Sequence, residues 1–171
     1  MAKEARCLYI TQTIRKRFPR SLSSANNVLD DFECDLVDVQ ALRKHNDGYK
    51  YLVTVIEFFS EFLHIGPLKS KTVKDVCSAF HSILQDPKYL KPIKGRLIWV
   101  RTDKEKEFLN TTFRNLLKRE GIQFQVCKNP DIKFSIIERA HRTIRHKLYK
   151  FFTYKNTYRY IDILPDFCLR L

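Results

Sequence analysis

Hydrophobic and polar positions alternate over the first half of the chain and recur at helical spacing over the last third. Phe32 to Val39 (F-E-C-D-L-V-D-V) alternates imperfectly and is apolar on both sides, which predicts a strand covered on both faces. Asn46-Asp47-Gly48 is a turn signal. Tyr49 to Ile56, rich in β-branched and aromatic residues, reads as a second strand, and Glu61 to Pro67 as a third that Gly66 and Pro67 end. Thr72 is placed to cap a helix in which Val73, Val76, Cys77, Phe80, Ile83 and Leu84 share a face, stopping before Pro87. Arg96 to Arg101 predicts a fourth strand. Phe108, Phe113, Leu116 and Leu117 outline a second helix that Gly121 ends, and Ile122 to Val126 a fifth strand. A third helix begins near Ser135, with Ile137, Ala140, Ile144, Leu148 and Phe151 on its core face. The order β-β-β-α-β-α-β-α predicts an α/β fold. Its five-stranded mixed sheet is antiparallel in its first three strands and parallel afterwards, with helices on both faces.

Composition narrows the partners. At 171 residues, with 44% hydrophobic and 13% aromatic residues, the chain is one folded domain rather than a disordered one. Its 32 Lys and Arg against 19 Asp and Glu leave a net charge of +13, an excess that suits a polyanion. The basic stretch Ile14 to Arg20 lies in a lead of residues 1–28, read as an arm or linker that contacts phosphate, serves as a nuclear import signal or is simply solvated. No run approaches a membrane span and no apolar signal core opens the chain, so a soluble intracellular protein is expected. The cysteines Cys7, Cys34, Cys77, Cys127 and Cys168 are scattered, without a C-x-x-C, and read as small hydrophobes. His141 and His146 lack a metal-ligand spacing and read as surface residues.

The acids are placed more tellingly. Asp103 ends the fourth strand, and Glu138 lies in the first turn of the third helix, 34 residues further on. Glu138, Arg142, Arg145 and Tyr149 share one helical sector. Glu138 and Arg142 by themselves make an ordinary i, i+4 surface pair. The surrounding Arg139, Arg142, Arg145, Lys147 and Lys150 favour a cation site beside a phosphate backbone instead. Phosphodiester chemistry on two Mg²⁺ ions about 3.5–4 Å apart needs only a few carboxylates. A third acid should come from the first strand. Asp35 and Asp38 point to opposite faces, and spacing alone only weakly prefers Asp35, which would meet Asp103 if the first and fourth strands are neighbours.

These residues resemble the catalytic core of retroviral-type integrases (the DDE superfamily), most nearly those of Polinton/Maverick-like transposons. Phe32-Glu33-Cys34-Asp35-Leu36 is similar to the first-strand signature W-Q-x-D-L, and Thr102-Asp103-Lys-Glu-Lys-Glu107-Phe108 to T-D-x-G-x-E-F. Asn46 to Val55, Phe59-Ser60 with Pro67 to Thr72, Ser135 to Arg139 with Arg142-Thr143, and Asn156 to Leu164 resemble the rest, from about Ile14 to the end. The resemblance implies an RNase H-like fold and a D,D-34-E triad, Asp35, Asp103 and Glu138, holding two Mg²⁺ or Mn²⁺ ions. It further implies 3′-end processing and strand transfer on DNA and a homo-oligomer, with no small-molecule cofactor; a nuclear location, or a cytoplasmic one with entry to the nucleus, is expected. Lys133, Arg139, Arg142 and Arg145 would lie near the DNA. Five departures stand out: Phe32 for Trp, Glu57 for Asp, Glu105 for Gly, Phe134 at a small position, and Ala140-His141 for Phe-Asn. If the turn after Asp103 needs positive φ, Glu105 fits it poorly. Residues 29–171 are expected to form a core truncated at its C-terminus, without the flanking modules of complete integrases.

Three functions compete. An active integrase core predicts metal-dependent cutting and joining of DNA. A catalytically weakened or inactive integrase-derived module predicts salt-sensitive nucleic-acid binding that ignores chelator. A nuclease acting on RNA–DNA hybrids is the third, told apart by its substrate.

Overall fold

The alternation in the first strand resolves into two chemically different faces. In the computed structural model, which describes residues 31–85, 98–103, 105–126 and 135–167, β1 (Asp31–Asp38) turns Phe32, Cys34 and Leu36 to one side of the sheet. Asp31, Glu33, Asp35 and Val37 therefore face the other. β2 (Tyr51–Glu57) runs antiparallel to β1, with Asp35 opposite Thr54, and β3 (Leu63–Leu68) runs antiparallel to β2. β4 (Ile98–Thr102) lies parallel to β1 on its other side, and β5 (Ile122–Val126) parallel to β4. The order β3-β2-β1-β4-β5 is the expected mixed sheet, with β1 at its centre.

One face is covered by α1 (Val73–Leu84), the single turn α2 (Lys106–Leu109) and α3 (Thr111–Arg119). Thr72 caps α1 through its side chain, as read from the sequence, by accepting from the Asp75 N–H. Phe113 lies at the centre of this layer, edge-on to Phe80 and Phe108 at 5.3 Å and to Phe124 at 6.0 Å. The second predicted helix is in fact two. Asn110 holds extended backbone (φ −68°, ψ 147°) and its side chain accepts from Thr112 N–H, so it ends α2 and caps α3.

The other face carries α4 (Ser135–Lys155), which buries Ile137, Ala140, Ile144, Leu148 and Phe152 against Val37, Leu52 and Ile56. Phe151, expected on that core face, is only partly buried, and Phe152 takes the inner place. Two short 3₁₀ segments, Gln40–His45 and Ile161–Phe167, were not anticipated. Asn46, fully buried, joins the first to the chain before the second: it donates to the carbonyls of Leu42 and Tyr158 and accepts from Tyr160 and Ile161 N–H. The third strand does not stop at Gly66-Pro67 but runs through them to Leu68, because it is an edge strand where proline costs no ladder bond. The predicted arm over residues 1–28, along with Cys7, Cys127 and Cys168, lies outside the described residues. Cys34 is buried and Cys77 partly so, both as free thiols. Among the described residues no helix is long and apolar enough to cross a membrane.

Candidate metal centre and nucleic-acid face

Parallel pairing sets Cys34 opposite Thr102, so the next residue of each strand, Asp35 and Asp103, stand level with one another. Carboxylate oxygens of Asp35, Asp103 and Glu105 all fall within 4.8 Å of one another. Backbone amides fix two of them: Leu36 N–H donates to Asp35 Oδ1 (2.7 Å) and Glu105 N–H to Asp103 Oδ1 (2.9 Å). Lys71 Nζ stands 3.5 Å from Glu105 Oε1. Burial, followed by the neighbouring charges of Asp103 and Glu105, pushes the Asp35 carboxyl up to about 6. Glu105 is raised as well, by burial and then by Asp103. Its Oε2 is buried and has no hydrogen-bond partner among the described residues.

Three crowded carboxylates, two of which (Asp35 and Glu105) lose their protons reluctantly, form a donor set that fits a hard divalent cation. Glu105 needs no left-handed backbone to join them, since its φ is −62°. The residue that looked misplaced in the motif is thus a third carboxylate of the cluster.

Glu138 lies outside that group, exposed in the first turn of α4. The start of α4 is nonetheless docked on β1, because the Glu33 carboxylate (Oε2) accepts from Ile137 N–H at 3.1 Å, satisfying an amide that has no partner within the helix. Glu33 is buried, and desolvation pushes its carboxyl up to about 7, against the opposing pull of the Ile137 N–H and of Arg101. Arg101 in turn reaches Asp31 at 3.1 Å.

His141, one turn beyond Ile137, is 9% exposed rather than on the surface. Its Nε2 lies 2.8 Å from Thr54 Oγ1 and its Nδ1 3.6 Å from Asp35 Oδ2. Burial, then the charge of Arg145, hold the imidazole down at about 4, so it is neutral at pH 7. The signal that could have found it is its place on α4: His141 adjoins Ala140 and stands one turn from both Ile137 and Ile144, all three buried.

On the outer side of α4, Arg142 and Arg145 are exposed, while Arg139 binds Glu61 at 2.6 Å. Asp38, the other candidate acid of the first strand, is exposed and accepts from Gln40 N–H, a local turn role. Lys133 lies outside the described residues.

The chain has the fold of retroviral integrase catalytic cores, an RNase H-like fold. It superposes on a chain of the simian T-cell lymphotropic virus intasome, solved with PP2A regulatory subunit B56 gamma, with a TM-score of 0.64 over 82% of this chain and 48% of that one, at 16% identity. The HTLV-2 integrase catalytic core domain in complex with magnesium matches in its dimeric form with a TM-score of 0.62, at 16% identity, over 82% of this chain and 84% of that one. Its trimeric form gives 0.54 at 18% identity, over 73% and 72%. Among curated proteins, a putative transposon-derived protein of Caenorhabditis elegans is 33% identical over 124 residues, or 72% of this chain. That match spans 41% of the relative's own length. No family model matches the chain.

Proposed function

We propose that the chain is the catalytic core of a transposon-derived integrase, of the Polinton/Maverick-like kind, that trims DNA 3′ ends and joins them to target DNA. The observation that carries this reading is the convergence of Asp35 and Asp103 at the paired β1 and β4, 68 residues apart in the chain, on a fold shared with integrase cores. Asp35, Asp103 and Glu138 are assigned as the triad, with Glu105 as an added carboxylate. Mg²⁺ or Mn²⁺, two ions in this reading, would neutralise charge on the oxygens of the phosphate undergoing substitution and acidify the attacking water or hydroxyl. Arg142 and Arg145, on the exposed side of the same helix, would hold the phosphate backbone, with Arg139 and Lys133 beside them. A homo-oligomer acting on chromosomal DNA in the nucleus completes the proposal.

The test is cleavage and joining of short duplex ends with Mg²⁺ or Mn²⁺. Asp103→Asn and Glu138→Gln are each expected to lower the rate by more than about 100-fold without loss of fold. The exposed position of Glu138, outside the carboxylate cluster, favours a second reading: a weakened integrase-derived module that grips nucleic acid without cutting it. Absence of cleavage with both ions on several DNA ends, with chelator-insensitive binding, would select that module and overturn the enzyme.

A further inference from the structure

His141 is a buried imidazole whose hydrogen bonds can be counted through to one conclusion. Thr54 has a single hydroxyl proton, and its Oγ1 stands 3.0 Å from the carbonyl oxygen of Asp35, which can only accept. That proton is therefore spent on Asp35. Toward His141 Nε2, at 2.8 Å, Thr54 Oγ1 is left to accept, so Nε2 carries the ring proton. Nδ1 then presents a bare lone pair to Asp35 Oδ2. Asp35 Oδ1 is already held by Leu36 N–H, whereas Oδ2 receives no hydrogen bond among the described residues. Two acceptors face one another, the imidazole buried and the carboxylate partly so, an arrangement that favours something positive between them.

Their separation points to what that is. At 3.6 Å the two atoms are too far apart for a hydrogen bond. Donors sharing one ion through bonds of about 2.1 Å stand roughly 3.0–3.4 Å apart at octahedral to tetrahedral angles. A small contraction seats a cation.

We infer that His141 Nδ1 is a nitrogen ligand that shares a divalent ion with Asp35, making the centre a mixed oxygen and nitrogen site that selects Mn²⁺ and later transition ions over Mg²⁺. Imidazole adds little to Mg²⁺, which keeps oxygen ligands and waters, and much to softer ions. The inference rests on the metal reading above and deepens it: Asp35 belongs both to the carboxylate cluster and to the pair with His141.

The test is binding of Mn²⁺ and Mg²⁺ to the full chain, with pulsed paramagnetic resonance of the Mn²⁺ form. Wild-type protein is expected to bind Mn²⁺ at least about 10-fold more tightly than Mg²⁺ and to show modulation from one directly bound nitrogen, a readout that needs no variant. His141→Asn should abolish the modulation and weaken Mn²⁺ about 10-fold while leaving Mg²⁺ within about twofold. Bound Mn²⁺ without nitrogen modulation overturns the inference alone, as does an equal loss of both ions in His141→Asn. If neither ion binds, or if Asp103→Asn weakens neither, the metal reading falls and the inference with it.

Discussion

Glu33 occupies a position that the first-strand signature gives to glutamine, and its surroundings ask for a neutral group. It accepts from Ile137 N–H in a buried place, a role an amide oxygen fills equally well. Its folded carboxyl titrates near 7, against an ordinary value of 4.5, because burial penalises the charge. A raised carboxyl contributes stability that is fully present below pH 4.5 and lost as the pH rises through 7. In chelator, therefore, wild-type protein should lose stability relative to Glu33→Gln between about pH 4.5 and 7, by an amount on the order of 3 kcal/mol. Parallel denaturant titrations across that range measure the difference, and equal slopes with pH for the two proteins would refute it. Asn46 is the other single residue on which much depends, since three of its four hydrogen bonds reach partners more than 100 positions away. Asn46→Ala would strand buried backbone groups and is expected to cost roughly 3 kcal/mol of unfolding free energy. A loss under about 1 kcal/mol would mean that water replaces the side chain. From the sequence, Asn46 looked like part of a turn, and Asp47 and Gly48 do take positive φ there. Nothing local revealed its distant partners.

Elements were legible wherever their signals are local. The five strands, the capped first helix and the helix beginning at Ser135 all follow from period, capping and turn residues within a few positions. Boundaries failed where a neighbouring element decided them. Gly66 looked like a strand terminator, yet it sits inside β3 against its neighbour β2: a β-carbon would meet Cγ1 of its cross-strand partner Val53 at 2.9 Å, with Ala79 Cβ of α1 at an ordinary 3.6 Å. Gly66→Ala is accordingly expected to destabilise the domain by about 1–3 kcal/mol through overpacking, measurable by thermal or denaturant unfolding. An unchanged midpoint would show that the edge strand moves aside. Asn110 was overlooked as a break between helices because the apolar positions on either side of it keep nearly one phase.

At the scale of the whole molecule, the sheet order brings into register what the chain keeps apart. Parallel pairing of β1 with β4 places Asp35 beside Asp103, while docking of α4 on the same face of β1 lays His141 against Asp35. The net charge of +13 acts at this scale too. If α4 tracks a phosphate backbone, DNA affinity should fall steeply with salt, and Arg142→Ala with Arg145→Ala together should reduce the slope of log K against log salt by about 2. Fluorescence anisotropy over a range of salt concentrations measures this; a slope unmoved by both substitutions would place the DNA elsewhere.

The sequence by itself determined the main strands and helices, their order, the mixed sheet and the net positive charge, because each is written in spacing over a few residues or in summed charge. It put Asp103 at a strand end, while spacing only weakly preferred Asp35 and the family motif singled it out. Tertiary structure alone decided that Glu105 joins those acids, that Glu33 docks α4, and that Asp35 is what the buried ring of His141 faces. Those three facts depend on which elements become neighbours. A side chain's partner across a sheet or beneath a helix leaves no trace in its own stretch of chain.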